Sequence, residues 1–277
     1  MPYFQHDGIA FHYRDAGEGI PFVFQHGLGG DAQQTFGLFT PPPGYRLITL
    51  ECRGHGETRP LGDPEKISLA VFVDDLCALL GHLALPQVVI GGISMGAAIA
   101  LMFTLRYPER VLGLVLSRPA WLDRPMPPNS ALYPVIAQLI RRWGAARGLE
   151  HFMQSAEYLE MARTAPDAAR SLCKQFMHPR AEETVVKLER IPRDAPSRDR
   201  REWTTIAAPT LVLANRLDPI HPYAYGEIIA QMIPGAQFRE LTSKSVDPVR
   251  HTQETQEFIQ SFLLQHVPPE SALGSKD

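Results

Sequence analysis

The chain has 277 residues, 44% of them hydrophobic and 21% charged, with a formal net charge of -3. That length excludes a string of independent domains and suits one large α/β domain carrying an inserted subdomain, with enough apolar mass to bury a sheet on both faces. The charge is spread along the chain rather than gathered in blocks, so neither nucleic acid nor an anionic membrane is an expected partner, and a small-molecule substrate is.

The chain opens with two extended segments, Tyr3 to Gln5 and Ile9 to Arg14, on either side of Asp7-Gly8, a strong hairpin signal. Pro21 to Gln25 reads as a buried strand running into the glycine-rich His26-Gly27-Leu28-Gly29-Gly30, and Tyr45 to Glu51 as another strand, closed by the turn Arg53-Gly54-His55-Gly56. Ser68 is placed to cap a helix whose apolar residues recur every three or four positions up to Leu83. The β-branched run Val88 to Ile93 leads without a linker into an alanine-rich helix, Met95 to Tyr107. Val111 to Leu116 and Thr210 to Ala214 are further buried strands. Between them the spacing predicts helices at Tyr133 to Trp143, Leu149 to Arg163, Ala165 to Met177 and Ala181 to Arg190, with Pro192 to Arg201 as a connector. Pro222 to Met232 reads as a helix, Gln237 to Leu241 as the last strand and Glu254 to His266 as the closing helix. Residues 267–277 are expected to fray.

Three cysteines, Cys52, Cys77 and Cys173, lie far apart with no Cys-x-x-Cys pair, which points to free thiols in a reducing, cytoplasmic setting. No basic start precedes an apolar stretch, and no run is long enough to cross a membrane. No histidine or carboxylate cluster has metal-ligand spacing, so neither a metal nor an organic cofactor is expected.

Gly92-Ile93-Ser94-Met95-Gly96 matches Gly-x-Ser-x-Gly. The pattern alone arises by chance in roughly one of ten chains this long, as a glycine turn with a spectator serine. Its context, a pure apolar strand before and a helix at once after, favours a nucleophile on a strained turn. A serine hydroxyl needs a base, and the base needs a group to orient it. Asp218 lies just beyond the strand Thr210 to Ala214, and the order Ser, Asp, His selects it over the plainer role of a turn residue before proline. Among ten histidines His251 follows the last strand, whereas His221 is too close in sequence to Asp218 and His266 too near the tail. The backbone amides of Leu28 and Met95 are candidate donors to an oxyanion. Arg118, at the end of its strand, would bind a substrate carboxylate or, more plainly, pair with a local acid, and Trp121 would form an apolar wall.

Together with Tyr107-Pro108-Glu109-Arg110-Val111, these pieces resemble the α/β-hydrolase family over nearly the whole chain, in the right order. The resemblance implies an eight-stranded, mostly parallel sheet flanked by helices, with core segments 1–120 and 206–266 and a helical cap, 121–205, inserted after the sixth strand. It also implies a triad of Ser94, Asp218 and His251. Glu51 departs from the aspartate common there, and His251 lacks the usual preceding glycine, although Lys244, Asp247 and His251 together look like a variant ending of some esterase-like relatives. Serine rather than aspartate at position 94 argues against the family's dehalogenases and epoxide hydrolases. Ester or lactone hydrolysis ranks first, carbon–carbon hydrolysis second and perhydrolase or acyl-transfer chemistry third. A small-molecule receptor is the alternative of another class.

Overall fold

The computed structural model describes residues 2–269. Asp7 and Gly8 turn β1 (Tyr3–His6) into β2 (Ile9–Gly17), pairing His6 with Ile9. Both turn residues have positive φ, 51° and 73°, as a two-residue hairpin loop with the right twist requires. Six more strands complete one sheet: β3 (Ile20–Gln25), β4 (Tyr45–Leu50), β5 (Val88–Ile93), β6 (Val111–Ser117), β7 (Thr210–Ala214) and β8 (Gln237–Glu240). The order is β1-β2-β4-β3-β5-β6-β7-β8. β2 pairs antiparallel on both sides, and from β4 to β8 every neighbouring pair is parallel.

Alternation along the strands sorts the core into two layers. Val23, Ile48, Ile90, Leu114 and Val212 face α2 (Leu69–His82), α3 (Met95–Arg106) and α8 (Tyr223–Met232). Phe22, Phe24, Leu47, Val89, Val115 and Leu213 face α1 (Ala32–Leu38) and α9 (Pro248–His266). The glycine-rich segment thus runs into a short helix that apolar periodicity does not announce. Asp31 caps it by accepting from the Gln33 amide.

Between β6 and β7 come α4 (Leu132–Met153), α5 (Ala156–Thr164), α6 (Pro166–Met177) and α7 (Val186–Arg190). The predicted helix Leu149 to Arg163 is split, because the Ser155 side chain caps a new start at Tyr158 N–H. α4 itself breaks at Gly144, where φ is 74° and ψ 168°. The last helix also differs from expectation: it begins at Pro248, not Glu254. Asp247 accepts from the amides of Val249 and Arg250, and Pro248 occupies the first helical position, where no N–H is needed. His251 consequently sits in the first helical turn. Of the tail expected to fray, Val267 and Pro269 are buried and the Tyr45 hydroxyl donates to Val267 O at 2.8 Å. Residues 270–277 lie outside the described residues.

Candidate active site

β5 carries Ser94 to the carboxyl edge of the sheet, and α3 starts at the next residue. Ser94 has φ 57° and ψ -110°, a strained backbone for a side chain with a Cβ. The turn is held by close approach: a Cβ on Gly92 would stand 2.3 Å from Gly96 C, and one on Gly96 would stand 2.1 Å from Gln25 O. Both motif glycines are thus required by packing. Ser94 lines a cavity of about 410 Å³, together with Leu28, Tyr133, Asp218, His221 and Lys244.

Two amides beside it are free. Met95 is the first residue of α3, where no intrahelical acceptor exists, and Leu28 N–H has no partner among the described residues. The rest of the Leu28 loop is tied down. Gly27 N–H donates to Gln34 Oε1 at 2.7 Å, and Leu28 O is 2.9 Å from His55 Nε2. Glu51, the residue that departs from the family pattern, braces the same region: it accepts from Ala32 N–H at 3.1 Å and Glu57 N–H at 2.6 Å and meets His12 Nδ1 at 2.8 Å.

Asp218 stands beyond β7 at the same edge, and its partner is His221. Nδ1 of His221 lies 2.9 Å from Asp218 Oδ2, and the His221 amide donates to Oδ1 at 3.1 Å. A carboxylate only accepts, so Nδ1 carries a proton, and in the neutral ring Nε2 is the acceptor. The separation of three residues, too short on paper, works because the chain doubles back: His221 N–H also reaches Asp218 O, at 3.2 Å. Burial opposes ionisation of Asp218, but His221 and Arg118 outweigh it and hold the carboxyl well below its usual range.

The structure does not bring His251 to Asp218 or Ser94. Its Nδ1 donates to Thr242 O at 2.8 Å, and its buried Nε2 has no partner among the described residues. It does not line the cavity. Burial, reinforced by Arg118 and Lys244, pushes the imidazole down to about 4, so the ring is neutral. The difference from expectation follows from the early start of α9, which places His251 in a helix rather than in the loop that enters the cavity.

Arg118 does line the cavity. It takes φ 48° at the end of β6, its amide donating to Leu213 O at 2.7 Å, and its Nη1 meets Asp218 Oδ2 at 3.4 Å. Trp121 does not: it is 2% exposed within the main core, and Tyr133 and Ile220 stand at the cavity instead. Asn129 ties this entry to the Asp218 loop, its side-chain amide donating to Ala120 O at 3.0 Å and Ile220 O at 2.7 Å. The sequence sets His221 aside as too close to Asp218, yet the structure pairs the two. The signal was in Asp218-Pro219-Ile220-His221-Pro222, whose two prolines mark a tight reversal.

An eight-stranded sheet with a serine on its strained strand-to-helix turn is the frame of an α/β hydrolase. A sequence profile described as alpha/beta hydrolase fold matches residues 20–244, most of the chain, and the protein belongs to that family. Over nearly its full length it is similar to 2-hydroxymuconate semialdehyde hydrolase of Pseudomonas putida, 26% identical, with 92% of this chain and 91% of that one covered. It is also similar to 3-oxoadipate enol-lactonase 2 of Acinetobacter baylyi, 23% identical, covering 92% and 93%. A match of 37% identity to a Bacillus subtilis protein spans only 41% of that protein. Among solved structures, a thermophilic esterase from Thermogutta terrifontis matches with a TM-score of 0.68 and 26% identity, covering 94% of this chain and 97% of that one. No helix among the described residues is long and apolar enough to cross a membrane, and none of their side chains form a metal-binding group.

Proposed function

We propose that this chain is a serine hydrolase that cleaves a small carboxylic ester or lactone through an acyl-enzyme on Ser94. The observation that carries the reading is the Asp218–His221 pair opening onto the same cavity as the strained Ser94. In this reading His221 Nε2 takes the Ser94 proton as Oγ attacks the carbonyl carbon. Asp218 holds Nδ1–H and stabilises the imidazolium, and the amides of Leu28 and Met95 receive the oxyanion. The imidazolium then protonates the leaving alcohol, and water reverses the steps on the acyl-enzyme. The helical insertion acts as a cap over the cavity, since α6 supplies Lys174 and Gln175 to its wall. Similarity to the enol-lactonase and the esterase supports the choice of bond. Similarity to the semialdehyde hydrolase keeps carbon–carbon hydrolysis on the same serine as the second reading.

His251, the base expected from chain order, competes with His221. A fluorophosphonate should label Ser94, and Ser94→Ala should abolish both labelling and turnover while the fold is retained. His221→Ala should lose at least a hundredfold in kcat, and His251→Ala far less. Labelling of another serine would overturn the nucleophile. A collapse of activity in a well-folded His251→Ala, with His221→Ala active, would return the base to His251.

A further inference from the structure

Lys244 is unlike every other interior cation described. Arg53, Arg180 and the deeply buried Lys187 all donate to an oxygen: Arg53 to Asp75, Arg180 to Glu183, and Lys187 to Gly54 O at 3.0 Å. Lys244, on the loop after β8, is largely enclosed, and only through-space charges and burial act on it, with no hydrogen bond. It lines the cavity that holds Ser94.

The carboxylates that face it act through space and make no hydrogen bond to it. Asp218 already takes two bonds from His221, at 2.9 and 3.1 Å, and a contact from Arg118. Asp167, on α6, contacts Arg170 at 3.5 Å. Arg118 is itself incomplete: its buried Nε has no partner among the described residues. Arg170 and Lys174 bring two further cations from α6, so four cationic side chains share the cavity with Asp31, Asp167 and Asp218. Arg170 and Lys174 are exposed at the rim, which leaves Lys244 and Arg118 as the enclosed cations facing a bound anion.

We propose that Lys244, with Arg118 beside it, forms an anion subsite, and that the preferred substrate carries a carboxylate remote from its scissile carbonyl. This rests on the reading of Ser94 as the nucleophile, and deepens it. An enclosed ammonium lacking a counter-ion is costly, and an incoming carboxylate removes that cost through a charge-assisted hydrogen bond. The recognition would be charged yet need no new group in the fold.

The test compares ethyl hydrogen glutarate with ethyl pentanoate, followed by ethanol release, and measures glutarate binding to Ser94→Ala by calorimetry. The wild-type chain should favour the acidic ester in kcat/KM by tenfold or more. In Lys244→Met that preference should fall to within twofold, and in Lys244→Arg much of it should return. Glutarate should bind Ser94→Ala and be lost from Ser94→Ala/Lys244→Met. A wild-type chain that prefers the neutral ester, or a Lys244→Met chain that keeps the preference, would overturn the subsite. If glutarate bound through Lys244 while neither ester turned over and Ser94 resisted fluorophosphonate, the hydrolase reading would fail and the subsite would stand.

Discussion

Two buried arginines in this molecule face aspartates, and they are built differently. Arg53 meets Asp75 through two parallel bonds of 2.7 Å, and its remaining nitrogen reaches Asp7 at 2.8 Å. Arg118 meets Asp218 through one contact of 3.4 Å, with Nε left over, while Asp218 gives its shorter bonds to His221. The first is a closed fork that joins the Arg53 turn to α2 and the β1–β2 hairpin. The second leaves donor capacity unspent at a cavity wall, on a residue held at positive φ. Saturation separates an ion pair that holds the fold from one that keeps capacity for a ligand.

Matched substitutions sharpen the contrast. Asp218→Asn should cost about 10³- to 10⁴-fold in kcat, because an amide no longer selects the Nδ1–H tautomer or stabilises the imidazolium. Circular dichroism should show an intact fold. Asp75→Asn should leave kcat/KM near that of the parent yet lower unfolding stability by about 1–3 kcal/mol in urea titration, since the buried guanidinium keeps Asp7 but loses its closer carboxylate. If Asp75→Asn instead impaired kinetics at unchanged stability, the division between the two pairs would be broken. Arg118→Met is the smaller probe. Its long contact predicts a stability loss of about 1 kcal/mol or less, against a rise in KM that is larger for acidic than for neutral esters. Equal kinetic losses on both ester types would leave Arg118 with only its pairing to Asp218.

The strands and the elbow were legible in the sequence because each is a local signal. Asp7-Gly8 specifies a hairpin, Val88 to Ile93 a strand covered on both faces, and the glycines around Ser94 a turn with no room for a Cβ. The site's second half was harder to read. Chain order ranks histidines by position, but which ring meets Asp218 depends on a reversal at Pro219-Ile220 and on where α9 begins. The cap at Asp247, with Pro248 after it, is a readable helix start. Once it is recognised, His251 belongs to a helix and not to a loop, and its Nδ1 lies on Thr242 O. Trp121 failed as a cavity wall for another reason: proximity in sequence to Arg118 says nothing about which side of the β6 exit a side chain packs on.

The smallest effect expected is in the pH dependence of substrate preference. Arg118 above all, with burial next, pushes the Lys244 ammonium down to about 8, while Asp167 and Asp218 draw it back up and Lys174 presses it further down. A lysine is charged below its pKa, so Lys244 is cationic at pH 7 and its share of the subsite's charge is lost as the pH rises through about 8, while Arg118 stays charged. The ratio of kcat/KM between ethyl hydrogen glutarate and ethyl pentanoate reports the free enzyme and cancels the titration of the shared catalytic groups. Both substrates keep their charge state between pH 6 and 10, roughly, because a carboxyl titrates near 4. The ratio should therefore be flat at low pH and decline severalfold across about pH 7 to 9, and Lys244→Arg should move that decline beyond the accessible range, since a guanidinium stays protonated. A ratio that rose with pH, or an identical decline in Lys244→Arg, would assign the charge preference to some group other than Lys244.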